Sequence, residues 1–212
     1  MAGIEELHLV GGNPALDFAN SVNAHASSNP RDNLHTYDDL LVWSERAGVL
    51  TRQQKHMLTE AAAADPQGAG TALKNAVQLR EVIFQLFRSV ARGGHQEDPR
   101  TEPALIAFNS SVERFLRRVR LVRRDHSFEL DFDPQGRLDG MLAVIAWSAV
   151  ELLRSEEIGR VKVCGKDTCG WLFVDRSKNH SRRWCEMSDC GNTVKARRFY
   201  ERKTGRARGQ KD

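Results

Sequence analysis

The sequence predicts a mostly helical α+β protein built in two parts. Three observations lead there: apolar residues recur at helical spacing through most of residues 1–159, one stretch of alternating residues interrupts them, and all four cysteines lie between positions 164 and 190. At 212 residues the chain can bury a sizeable core as one domain or two. Its net charge of +4 is unevenly divided. Residues 160–212 hold 15 Lys and Arg against 6 Asp and Glu, a net of +9, which leaves 17 against 22, a net of −5, for residues 1–159. A basic module on an acidic body suits a polyanion-binding unit joined to a separate folded domain, with the boundary expected between 159 and 160.

Taken in order, the N-terminal "MAGIEELHLVGGNPALDF" lacks the basic start and apolar run of a signal peptide. No stretch approaches the roughly 20 apolar residues of a membrane span, so a cytoplasmic protein with no membrane partner is expected. "TYDDLLVWSERAGVL" opens on Thr36 as an N-cap and ends at Gly48, and Thr51 caps a second helix. A longer helix is expected from about Thr71 to Ala91 on the stripe Leu73, Val77, Phe84, Phe87 and Val90. After a loop from Gly93, another runs from Pro103 to Val119 with Leu105, Phe108, Val112, Phe115 and Leu116 inward. "RLVRRDHSFELDFDPQG" alternates as a hairpin ending in a turn. Leu138 to Leu153 carries the strongest helical pattern.

Two polar residues interrupt the apolar stripes. Arg80 lies between Val77 and Phe84, and Asn109 between Leu105 and Val112. A buried guanidinium needs a carboxylate or several acceptors, and Asp17 in "ALDFANS", with Asn20 beside it, is the partner the pattern offers. Asp17, Asn20, Arg80 and Asn109 are then either a structural polar network or a pocket for a small-molecule or anionic effector.

The cysteines follow the spacing Cys164-x4-Cys169-x15-Cys185-x4-Cys190. Two close pairs separated by a loop suit tetrahedral zinc, with disulfides or idle buried thiols as the alternatives. The strand-like "RVKV" leads into the first pair, "WLFVDRSKNHSRRW" is expected to fold back as a hairpin, and Cys190-Gly-Asn opens a helix over about Thr193 to Lys203. That order describes a treble-clef-like module. Four thiolates close the coordination sphere, so no activated water is expected at the metal. His180 is expected at the hairpin tip, while Trp171, Phe173 and Trp184 pack the small core.

On the last helix Ala196, Phe199 and Tyr200 are expected to face the zinc core, while Lys195, Arg198 and Arg202 share an adjacent face. Arg176, Lys178, Arg182 and Arg183 add charge from the hairpin, and Arg197, Lys203, Arg206 and Arg208 from the helix and tail. Such density suits phosphate contacts, with a solvated basic face on a protein-binding zinc knob as the bland alternative. The other histidines, His8, His25, His35, His56, His95 and His126, are scattered without a nucleophile or metal-ligand grouping, and no enzyme is expected.

"CGKDTCGWLFVDRSKNHSRRWCEMSDCGNTVKARRFYERK" resembles the CGNR zinc-finger family, and "HLVGGNPALDFANSV" followed by "YDDLLVWSERAGVL" resembles the ABATE domain that precedes it. Together they cover nearly the whole chain. The resemblance implies a bacterial, often actinobacterial, stress-induced transcription regulator, with the N-terminal domain as sensor, the finger as DNA reader and room for a homodimer. It also implies that Cys164, Cys169, Cys185 and Cys190 bind zinc, and that Gly191 and Asn192 turn the chain into the DNA-reading helix. Thr193 stands where the motif has arginine, leaving Lys195, Arg197 and Arg198 to supply charge. The runner-up is an RNA- or protein-binding zinc adaptor acting on the transcription machinery.

Overall fold

The computed structural model describes residues 3–93, 100–132 and 136–208. Its elements are α1 (Pro14–Ala19), β1 (Val22–Asn23), β2 (Arg31–Asp32), α2 (Tyr37–Arg46), α3 (Arg52–Ala64), α4 (Pro66–Ala91) and α5 (Thr101–Leu116). There follow β3 (Arg120–Arg124), β4 (Ser127–Asp131), α6 (Met141–Arg154), β5 (Val161–Val163), β6 (Leu172–Val174) and α7 (Asn192–Arg208). The strands form three separate antiparallel pairs, β1 with β2, β3 with β4 and β5 with β6. The molecule is thus mostly helical with small hairpins, the predicted α+β class. Among the described residues no helix is long and apolar enough to cross a membrane.

Local chemistry sets the helix starts. Thr36 accepts from the Asp39 amide at 3.1 Å while the Asp39 carboxylate takes the Thr36 amide at 2.7 Å, and Thr51 and Gln54 make the same reciprocal pair at the head of α3. Asp65 ends α3 and caps α4 by accepting from the Gly68 amide at 2.8 Å, with Pro66 in the first helical position. That cap starts α4 five residues before the expected Thr71, despite Gly68 and Gly70. α5 begins at Thr101 inside the expected loop, of which residues 94–99 lie outside the described residues. The β3–β4 hairpin pairs Leu121 with Leu130 and turns at Asp125, whose φ is +49°; the turn expected after it falls partly on residues 133–135, outside the described set.

Among the elements that the sequence did not announce are β1, β2 and, deepest in the core, α1. Asn13 caps it by accepting from the Ala15 amide at 2.9 Å, and Pro14 follows. This single-turn-and-a-half helix packs against α4, α6 and β6, so Ala15, Leu16, Phe18 and Ala19 are all fully buried. The same hydrophobic core takes in Ala76, Leu79, Ile83 and Phe87 of α4, Leu142, Ile145 and Ala149 of α6, and Val161, Leu172 and Val174 from β5 and β6.

Arg80 is 2% exposed, as its place in the α4 stripe predicts, but its partner is Asp32 rather than Asp17. Nη1 meets Asp32 Oδ1 at 2.6 Å and Nη2 meets Oδ2 at 2.7 Å, with Ser21 Oγ at 3.2 Å from Nη1 and Glu81 Oε1 at 3.3 Å from Nε. The reason is direction: Asp17 sits on α1 and turns back to accept from the Gly11 amide at 2.7 Å, whereas β2 brings Asp32 to the guanidinium fork. Burial pushes the Asp17 carboxyl up to about 6, opposed by that amide. Against its own desolvation, Asp32 is held below the usual carboxylate range by Arg80. Asn20 instead bonds the backbone of Leu172, and Asn109 is exposed because α5 buries Ala104, Phe108 and Phe115. The four residues expected to cluster therefore do not meet as one group.

Asp32→Ala leaves a fully buried cation and should destabilise the chain by about 3–5 kcal/mol in urea titration. Adding Arg80→Met should recover part of that loss, because no charge is then stranded. Strict additivity of the two substitutions would show that the pair is not coupled.

Candidate metal centre and nucleic-acid interface

β5 delivers the chain to Cys164, whose amide bonds the Trp171 carbonyl at 2.8 Å, so the two strands of the β5–β6 hairpin flank the first cysteine pair. Within the intervening turn the Cys169 amide bonds the Lys166 carbonyl at 2.9 Å. Gly170 follows with φ +77°, and a Cβ there would lie 2.8 Å from the Ala26 nitrogen, so both the dihedral and the approach of the N-terminal segment require glycine. The second pair frames a wide helical turn, Met187–Gly191, that runs directly into α7.

The return hairpin expected over residues 171–184 does not form; β6 pairs backwards with β5, matching Val161 with Val174 and Val163 with Leu172. Beyond it, Asp175 gathers the chain into a compact loop. Its carboxylate is 0% exposed and accepts from Lys162 Nζ at 2.6 Å, Ser177 Oγ at 2.6 Å, the Ser177 amide at 3.0 Å and the Arg182 amide at 2.9 Å. Against desolvation, these donors hold Asp175 far below the usual carboxylate range. His180 sits exposed in this loop with φ +48°.

All four cysteines are buried, and their sulfurs lie within 4.8 Å of one another. Cys169 and Cys185 are 3.8 Å apart, Cys185 and Cys190 3.6 Å. A tetrahedron with metal–sulfur bonds of about 2.3 Å has edges of about 3.8 Å, so the residues fit zinc. Hydrogen bonding with Cys169 pulls the Cys164 thiol far below its ordinary range, and hydrogen bonding with Cys164 pushes Cys185 far above it. Four sulfurs this close cannot all ionise without a cation among them. Held by Cys164, Cys169, Cys185 and Cys190, zinc would supply a structural cross-link, and four thiolates would leave no position for a reacting water.

Around this site Phe173 is fully buried, with Trp171, Trp184 and Val10 packed against the cluster. The Arg182 guanidinium stacks 4.3 Å from the Phe173 ring centroid and donates to the carbonyls of Trp184 and Cys185. The N-terminal segment closes the other side. Asn20 Nδ2 donates to the Leu172 carbonyl and Oδ1 accepts from the Leu172 amide, both at 2.8 Å. Trp171 Nε1 donates to the Val22 carbonyl at 2.8 Å, and the Val174 amide to the Gly11 carbonyl at 2.9 Å.

The cations counted in the sequence separate into two groups. Arg176 is held by Glu157 at 2.6 and 2.8 Å, Arg182 turns inward, and Arg197 faces Asp167 at 3.1 Å and Glu201 at 3.6 Å. Lys178, Arg183, Lys195, Arg198, Arg202 and Lys203 are exposed, as is Thr193. Asn192 donates to the Ser188 carbonyl at 3.1 Å. Arg206 and Arg208 fall in the last turns of α7, their side chains outside the described residues. The expected inward face of α7 is corrected: Ala196 is exposed, Phe199 and Tyr200 are 57% and 65% exposed, and among the described residues only Val194 near the start of the helix is buried. Of the other elements α7 contacts chiefly the cysteine turn that starts it, so among the described residues its later side chains stay exposed.

One zinc per chain is expected on elemental analysis of protein purified without chelator, and Cys169→Ser should lower that stoichiometry and unfold the residues around it, because so small a cluster has little core of its own. Full zinc loading of the variant would remove Cys169 from the ligand set.

A search of curated proteins returns no match. Family models match nearly the whole chain: residues 160–203 fit the CGNR zinc finger, and residues 12–156 fit ABATE, described as "Putative stress-induced transcription regulator". With the four-thiolate centre falling inside the first match, the chain belongs to the ABATE family and ends in a CGNR zinc finger that binds zinc.

Proposed function

We propose that the protein is a cytoplasmic, non-enzymatic transcription regulator that binds DNA through α7 and takes a small effector in its helical part. The observation that carries the DNA reading is the row Lys195, Arg198 and Arg202, exposed at spacings of three, four and seven residues on one side of a helix anchored by the metal site. Among the described residues none of the three has an acidic partner, whereas Arg176 and Arg197 are already paired. A helix of this diameter fits the major groove, and a row of cations along one side of it would neutralise phosphates on one rim. The closed metal sphere supports a structural rather than catalytic zinc.

The effector reading rests on a cleft of about 500 Å³ between α3, the β3–β4 hairpin and the start of α6. Leu50, Met57, Leu58, Val122, Leu130 and Met141 line it with apolar side chains, and Gln54, Glu129 and Asp131 add polar groups. This volume falls within the range of small-molecule sites. By contrast, Arg80 and Asn20 are occupied by protein partners, which favours this cleft over them as the effector site.

Duplex binding measured over a range of salt concentrations tests the interface. Lys195→Ala, Arg198→Ala and Arg202→Ala should each weaken binding regardless of sequence and reduce the log–log salt slope by about one per lost contact. Arg176→Ala should leave the slope nearly unchanged. Equal slopes in all variants would place the polyanion elsewhere or remove it.

A further inference from the structure

α7 presents more than charge. Its 17 residues span about 25 Å, and between Asn192 and Lys203 only Val194 is buried. At 100° per residue, the side opposite Val194 carries Phe199, Ala196, Lys203 and Tyr200, with Lys195 and Arg202 beside Phe199 one turn before and after it. Phe199 and Tyr200 meet edge to face with centroids 5.9 Å apart. Phe199, 57% exposed beside Tyr200, offers apolar surface on a mostly polar helix, and the cations around it limit which surface it can meet. A second copy of the helix laid on it would set Lys195, Arg202 and Lys203 against their equivalents. A polyanion would be attracted by the same three residues.

On the reading that α7 enters the DNA major groove, we infer that Phe199 is a specificity-determining residue that contacts the C5-methyl group of thymine. The phenyl ring has no hydrogen bond to offer, so what it can discriminate among base edges is apolar surface. In the major groove that surface is the thymine methyl. The flanking cations place it centrally: Lys195 and Arg202 lie to one side of the ring and Lys203 to the other, so they engage phosphates of the two rims while the ring points to the groove floor. Tyr200, stacked on its edge, restricts its rotation. This contact also separates DNA from RNA, since uracil lacks the methyl.

The test uses the full-length zinc-loaded protein with two probes, an alternating dA-dT duplex and the same duplex with deoxyuridine in place of thymidine. Wild-type protein should bind the thymine duplex about four-fold more tightly per contacted methyl. Phe199→Ala should bind both probes equally, and Phe199→Leu, which keeps an apolar tip, should restore part of the preference. Phe199 is exposed, so neither substitution disturbs the core. Equal wild-type affinity for the two probes, with the salt slope intact, would overturn methyl recognition and leave the DNA reading standing. Loss of affinity for both probes alike in Phe199→Ala would also overturn it, in favour of stacking or insertion. Concentration-dependent self-association abolished by Phe199→Ala would assign the patch to a second copy instead. Failure of the wild type to bind either duplex would defeat the interface reading itself.

Discussion

A guanidinium with almost no exposure must be paired where it lies, and the pairing of Arg80 with Asp32 fixes more than α4. It pins β2, and through the Ser21 hydroxyl the end of α1, against the helical core. The segment thus held runs from Gly11 to Asp32, and its other side is what the zinc module touches. Asn20, Val22 and Gly11 bond β6 and Trp171, while Ala26 lies against Gly170 just after the second zinc ligand. Body and finger therefore share one strip of chain rather than meeting across a linker. The charge asymmetry divides the sequence sharply, yet the hydrophobic core does not stop at the same point, since Val161, Leu172 and Val174 are part of it.

Metal and helix are joined as directly. Cys190 is one of the four cysteines that fit the metal, and α7 begins two residues later, so the helix starts directly from the cysteine cluster. The buried Val194 is the remaining anchor in the first turns. Between the helical core and α7 lie residues 11–32, β6 and the cysteine turn, joined by the bonds of Gly11, Asn20 and Val22 to β6 and Trp171 and of Cys164 to Trp171. That path gives the proposed effector cleft and the proposed DNA helix a physical connection without a hinge.

Much of this was legible in the sequence because it depends on local spacing. The cysteine pairs, the capping residues Thr36 and Thr51 and the burial of Arg80 each follow from residues a few positions apart. The partner of Arg80 was not legible: 48 residues separate it from Asp32, and a carboxylate in an apolar context, Asp17, fits the one-dimensional pattern better. α1 escaped because six residues are too few to display a helical period. Ala196, Phe199 and Tyr200 do show that period, but whether such a face is buried depends on neighbouring elements that local spacing does not reveal, and here Ala196 and Phe199 are exposed. The cation count was correct, while the commitment of Arg176 to Glu157 and of Arg182 to Phe173 and two carbonyls is tertiary information.

The coupling of finger to body is most directly tested by thermal unfolding followed at 222 nm, where α2 to α6 dominate the signal, on zinc-loaded protein and on protein stripped by a chelator. Loss of zinc should shift the main helical transition to lower temperature, because β6 would no longer be held against Asn20, Val22 and Gly11. A main transition at the same temperature in both samples, with only the small contribution of α7 lost, would contradict the shared strip of chain and show the zinc module to be an independent unit.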